Sequence, residues 1–270
     1  MTKGQNTSQI HLLFSLDCPR FDVAFINHQN NQCLRLESYD LGENPSEDQI
    51  LGQVQNIVKT HDLLNGMFWK SVSLSINNQS FTLIPRELFK KEYASRYLLL
   101  ARGTALKDTE EAHYYEHQAL GANNVFSVEK KTLSLLQELY PFQDFRLLHQ
   151  TSGLINIAMQ YRQSNVSVFY EKDAFSLVYA NNQQLQYCNR FLFKTQADFV
   201  YYVLFVLKEL QIENTYAEVF LYGDIEANDL NYKELQKFVP HLTIGNNQSK
   251  VQLTNELSAH KFASVFNAFF

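Results

Sequence analysis

Residues 113–117 read His113-Tyr114-Tyr115-Glu116-His117, the spacing HxxEH. On a helix, His113 and His117 would share a face and could hold a zinc ion, with Glu116 as base toward a metal-bound water. That chemistry needs a third ligand, and Glu209 is the residue that offers itself. The residues around the motif alternate as a strand does. A surface strand with two histidines is therefore the preferred reading, with no metal expected. The chain has neither a GxxxxGK[ST] loop nor a GxGxxG run. No Ser-His-Asp or Cys-His arrangement can be read either, because its members need not be neighbours in sequence. Lys90-Lys91 and Lys130-Lys131 are paired charges on solvated helix faces.

Composition narrows the function classes. The chain has 270 residues, of which 45% are hydrophobic and 14% aromatic, with 9 Gly and 5 Pro. That describes a packed protein with a sizeable core, in one large domain or two lobes. A net charge of −5 opposes a general polyanion-binding role, so no nucleic-acid partner is expected. Three cysteines, Cys18, Cys33 and Cys188, lack CxxC spacing and read as small apolar residues in a reducing compartment. Residues 1–9 are polar with no apolar h-region. These features predict a cytoplasmic protein without membrane insertion.

Elements follow from periodicity. Residues 10–17, 21–27 and 33–39 are apolar or alternating and are separated by turn residues, which predicts a three-stranded meander. Ser46 and Gln49 have capping-box spacing, and Ile50, Leu51, Val54, Ile57 and Val58 form one helical stripe behind them. Val72, Leu74 and Ile76 alternate with serines, and residues 81–84 form the strand that returns. Pro85 is expected to open a helix reaching Leu98, and residues 102–112 a polar loop. Strands are expected at 113–118, 123–128 and 145–149, and helices at 129–140 and 151–162.

Residues 166–170, 175–180 and 185–191 then repeat the order strand, turn, strand, Asn-rich turn, strand. A helix again follows, with Thr195 and Asp198 as its capping box. This helix carries the apolar run 199–207, which is expected to be covered on all sides. It is too short to span a membrane, since nine residues rise ~14 Å against a hydrocarbon core of about 30 Å. A strand at 217–222 ends on Gly223-Asp224-Ile225. A helix starting near Asn231 and Glu234 runs to Val239. Two copies of strand–strand–strand–helix–strand predict two lobes facing each other across a cleft. The first lobe would span residues 1–163, with an inserted hairpin region, and the second residues 164–270.

That duplicated plan resembles the actin and sugar-kinase superfamily. More closely, Asp198-Phe199-Val200-Tyr201-Tyr202-Val203-Leu204-Phe205-Val206 and Val219-Phe220-Leu221-Tyr222-Gly223-Asp224-Ile225 resemble domain-of-unknown-function family 3822 of Bacteroidetes. Phe81-Thr82-Leu83-Ile84-Pro85 and Leu148-His149-Gln150-Thr151-Ser152 do so too. The resemblance implies an α/β fold of two actin-like ATPase lobes (ribonuclease H-like, duplicated), with mixed sheets flanked by helices and no assigned activity.

Actin-like ATPases hold phosphates on two hairpin turns where glycine lets backbone N–H groups approach anionic oxygens. The resemblance places the first turn at Asp17-Cys18-Pro19-Arg20, which has no glycine, and Pro19 removes an N–H. The second falls at Glu171-Lys172-Asp173, with two carboxylates where an anion should sit. Gly223 matches the glycine on the adenosine side, but Asp224 follows it. Asp17, Asp173, Gly223 and Asp224 are thus the nucleotide-site candidates. Their departures predict a scaffold or protein-interaction module without a cofactor, more readily than an ATPase or kinase. With 15 Tyr and 21 Phe, aromatics exceed what one core needs. Phe262, Phe266 and Phe269, at helical spacing, are expected to form a docking face for a protein partner or a second copy.

Overall fold

Alternating residues do form the meander expected at the start of the chain. In the computed structural model, which describes residues 7–17, 20–43, 45–66, 68–246, 250–253 and 259–269, strands β1 (Ile10–Asp17), β2 (Arg20–Asn27) and β3 (Gln32–Asp40) pair antiparallel. Helix α1 (Glu47–Thr60) follows, and both bonds of the Ser46–Gln49 capping box are present. Such a cap is worth about 1 kcal/mol. Strand β4 (Ser71–Ile76) then returns parallel to β1.

The chain leaves this sheet for strand β5 (Phe81–Pro85), helix α2 (Ala94–Arg102), and strands β6 (Glu110–His117) and β7 (Ala122–Glu129). The three strands form a separate antiparallel sheet in the order β5-β7-β6. Helix α3 (Lys130–Leu139) and strand β8 (Phe145–His149) lead back, and β8 pairs parallel with β4.

The next elements are helix α4 (Gln150–Ala158) and strands β9 (Asn165–Tyr170), β10 (Ala174–Asn181) and β11 (Gln184–Leu192). After them come helix α5 (Gln196–Glu209), strand β12 (Val219–Gly223), helix α6 (Leu230–Gln236) and strand β13 (Leu242–Ile244). Strand β14 (Gln252–Leu253) joins the first sheet beside β3, and helix α7 (Ala263–Phe269) closes the chain. The two large sheets run β14-β3-β2-β1-β4-β8 and β11-β10-β9-β12-β13.

Contacts group the chain into two units, residues 1–149 with 251–255 and residues 150–250 with 256–270. The sequence places the division after residue 163; packing assigns α4 to the second unit, where it lies against α7 and β9. The first unit's core gathers Leu12, Phe14, Phe25, Val72 and Leu74 from the sheet, Val54 and Val58 from α1, and Leu136 from α3. The second gathers Val166, Val168, Leu177, Val219 and Leu221 with Phe199, Val203 and Leu207 of α5.

Two expectations are corrected. Pro85 ends β5 opposite Ala122, and Arg86 N–H continues the ladder to Gly121 O at 2.8 Å. The segment that follows is two short 3-10 turns, so α2 begins only at Ala94, without a side-chain cap. Helix α5, expected to be covered all round, packs Phe199, Val200, Val203, Val206 and Leu207 inward. Tyr201 is 61% exposed and Phe205 44%. A helix laid on one side of a sheet keeps an outer face whatever residues it carries there.

Candidate functional site

The second unit brings Glu171, Asp173, Gly223 and Asp224 to one end of its sheet, the carboxyl ends of the parallel strands β9 and β12. In open α/β sheets this end is where ligands bind. Gly223 pairs with Tyr170, at φ +87°, and a Cβ there would run into the Tyr170 carbonyl oxygen. Only glycine fits, for a packing reason. Asp224 N–H donates to that same Tyr170 oxygen at 2.9 Å, and Ile225 N–H to Gly223 O at 2.9 Å. The Asp224 side chain is exposed.

In the β9–β10 turn, Glu171 N–H donates to Ala174 O at 2.9 Å, and Asp173 O accepts from Phe193 N–H at 3.0 Å. Asp173 faces solvent, whereas Glu171 is buried and its carboxylate receives Arg190 Nη1 from β11. Both side chains are less than one-tenth exposed. A buried carboxylate with its own guanidinium thus occupies the mouth of the turn. The acid at Glu171 is visible in sequence, but its partner is not. Arg190 stands opposite Ser176, and that register holds only after a bulge between Tyr179 and Ala180 has shifted the pairing.

In the first unit Cys18 and Pro19 lie outside the described residues, and Asp17 is described only as the last backbone position of β1, opposite Arg20. Glu171 stands opposite Ala174 in the same way, so the counterpart of Asp17 by register is Glu171, not Asp173. Beyond the turn, Arg20 Nε pairs with Asp22 at 3.0 Å, and Ser38 Oγ donates to Asp22 at 2.6 Å.

The HxxEH segment is strand β6, as the alternation indicated. His113 and His117 therefore share a strand face with Tyr115, and Glu116 points to the opposite face. His113 Nε2 meets Glu111 at 2.6 Å, Glu116 pairs with Arg86, and His117 packs edge-on against Tyr115. Glu209 closes α5 in the other unit. No group of three potential metal ligands occurs among the described residues. The zinc alternative loses its geometry, because a strand sets Glu116 and the two histidines on opposite faces.

The C-terminal aromatics are also reassigned. Phe266 is fully buried and Phe262 is 8% exposed, their rings 6.4 Å apart. The segment is tied down by Asn156 Nδ2 donating to Asn267 O at 2.7 Å and Gln160 Nε2 to Asn267 Oδ1 at 3.0 Å. Rings covered by their own unit are core and offer no docking face. The Phe269 side chain lies outside the described residues.

Burial pushes the Cys33 thiol up to about 11 and the Cys188 thiol up to about 12, away from thiolate chemistry. No helix among the described residues is long and apolar enough to cross a membrane.

Two mixed sheets that share a five-strand order, β3-β2-β1-β4-β8 and β11-β10-β9-β12-β13, each bearing a capped helix after its meander, define an actin-like ATPase fold. The chain is similar over 91% of its length to 94% of a Bacteroides thetaiotaomicron protein with actin-like ATPase fold and unknown function, at 24% identity and TM-score 0.80. It is also similar over 96% of its length to 97% of a chain of the PilM–PilN type IV pilus biogenesis complex, at 12% identity and TM-score 0.63. Residues 2–242 match the family described as Protein of unknown function (DUF3822), and the chain belongs to that family. No curated protein matches it.

Proposed function

We propose that this chain is a non-catalytic actin-like scaffold or protein-interaction module, built from a duplicated lobe whose phosphate-side turns no longer hold a nucleotide. The observation that carries the reading is the β9–β10 turn. Its buried Glu171 carboxylate is matched to Arg190, and the Glu171 and Asp224 amides are already bonded to backbone carbonyls. A phosphate entering there would meet a like charge and no uncommitted donor from these two amides; the Arg190 guanidinium is charge-matched by Glu171 through Nη1, and its buried Nε is left without a partner among the described residues. Breaking the pair to admit it would strand a buried charge, at a cost of about 3–5 kcal/mol.

Support for protein contacts comes from α5, where Tyr201 and Phe205 stack 6.0 Å apart on the exposed face beside Leu204 and Ile212. Exposed aromatic clusters of this kind are favoured at interfaces. A protein of this fold occurs in the PilM–PilN complex, in keeping with such a role.

Phosphate release from Mg-ATP tests the absence of catalysis. The expected result is no release above buffer. Turnover that disappears in Glu171→Gln would establish instead an ATPase or kinase working through unusual turns.

A further inference from the structure

Helix α5 turns a stripe of its own toward solvent. Asp198, Tyr201, Phe205 and Lys208 follow one another at spacings of three, four and three, which sets them on one face of a helix. The opposite face is the one that Phe199, Val203 and Leu207 bury in the core. Tyr201 and Phe205 stack with ring centroids 6.0 Å apart, and with Lys208 they line an open groove of about 720 Å³. Monomers seldom leave paired large rings on the surface unless something covers them.

The charges on this face say what covers them. Asp198 lies in the first turn of α5 and Lys208 in the last, about 15 Å apart along the axis at roughly 1.5 Å per residue. Lys194, whose N–H donates to the Asp198 carboxylate at 3.1 Å, stands beside the first, and Glu209 beside the second. Among the described residues none of these four side chains is in an ion pair. In a parallel pair of such helices each charge would meet its own kind, which is costly. Turned end for end about a two-fold axis level with Val203, the helices bring Asp198 level with the other copy's Lys208. Tyr201 then stands level with the other copy's Phe205, and Lys194 within a side chain's reach of the other copy's Glu209. Every contact occurs twice, and each helix N-terminus meets a C-terminus, which suits their opposed dipoles.

We propose that the exposed face of α5 pairs two copies of this chain in antiparallel fashion. Tyr201 and Phe205 of each copy form the apolar centre, and Asp198–Lys208 and Lys194–Glu209 contacts between copies close the two ends. The charges set the orientation, because the rings alone would accept either one. One helix face is small beside the ~800 Å² per partner of a standard interface, so the pairing depends on concentration. The inference rests on the protein-contact reading of α5 given above and names its partner.

Sedimentation equilibrium of the full chain tests the pairing. The average mass should climb from that of one chain toward twice that value between low and high micromolar protein. Tyr201→Ser combined with Phe205→Ser should hold it at one chain throughout. Lys194→Glu and Glu209→Lys should each weaken pairing roughly tenfold. An equimolar mixture of these two variants should regain the unaltered affinity, since each charge then meets its opposite across the antiparallel interface. All four positions are exposed, and the mixture is compared with its own components, so a folding defect cannot mimic the recovery. A one-chain mass at every concentration of the unaltered protein, pairing that survives loss of both rings, or a mixture no tighter than its components would each overturn the proposal. None of these outcomes touches the scaffold reading, which fails instead on nucleotide turnover, a result that leaves the mass unchanged.

Discussion

The two large sheets share more than strand order. In each, β-bulge geometry falls at one place: Leu34 is the extra residue where β2 meets β3, and Gln186 where β10 meets β11. Each is the third of nine residues in its strand. Each meander is followed by a 14-residue helix with a complete capping box. Yet the turn ends differ in chemistry. The first unit pairs Arg20 with Asp22 on one strand, with Ser38 opposite; the second has Ser176 and Arg190 in those opposed positions, and Arg190 reaches Glu171 instead. By register, Ile76 in the first unit stands where Gly223 stands in the second, facing Leu16 and Tyr170 respectively. The chain beyond Ile76 runs on to the inserted sheet and lines a cleft, while the chain beyond Gly223 folds back onto Tyr170 O. A shared backbone plan therefore leaves the chemistry of its sheet ends free to diverge.

The strongest way to break this comparison is Gly223→Ala. Positive φ and the Tyr170 oxygen together should cost about 4 kcal/mol or more, read as a lost or much lowered unfolding transition of the second unit. Ile76→Ala at the matching position should cost less, since it only trims a side chain. Equal losses at the two sites would show that the Gly223 turn is not what separates the units. Phe266→Ala comes next, at about 3–4 kcal/mol by denaturant melt. A neutral effect together with a changed oligomeric mass would restore the docking face expected for Phe262, Phe266 and Phe269.

These two variants mark how far sequence reaches. Strand alternation, capping boxes and the order of elements are local signals, so both meanders, α1 and α5 were legible from residues alone. The covering of Phe262 and Phe266 by their own unit depends on partners about a hundred residues away, such as Asn156 and Gln160 for Asn267. The delayed start of α2 was hidden because proline suits a strand end as well as a first helical turn. At the candidate site, Gly223 and the acidic turns were visible, but their meaning was not. Arg190 meets Glu171 only through a register that one bulge residue sets.

A smaller effect sharpens the contrast between the two arginine pairs. Arg190→Ala should cost about 3 kcal/mol by leaving Glu171 buried and charged. Arg20→Ala should cost nearer 1–2 kcal/mol, because Asp22 keeps the Ser38 bond and Arg20 is 21% exposed. The smallest effect is a pH dependence seated in the first unit alone. Burial and then His28 hold the His11 imidazole down at about 4 against an ordinary 6.5. The unfolded chain thus binds a proton that the folded one refuses, and stability should fall as pH drops from 6.5 toward 4. After allowance for solvent screening this is worth ~1 kcal/mol. His11→Gln should remove the dependence while keeping a side chain able to bond Ser71.

The scaffold reading requires that the β9–β10 turn, closed by Glu171 and Arg190, binds no phosphate. Calorimetric titration of the purified chain with ATP and Mg²⁺ measures that directly. No saturable heat is expected up to millimolar nucleotide, and micromolar binding that weakens on Arg190→Ala would contradict the scaffold reading.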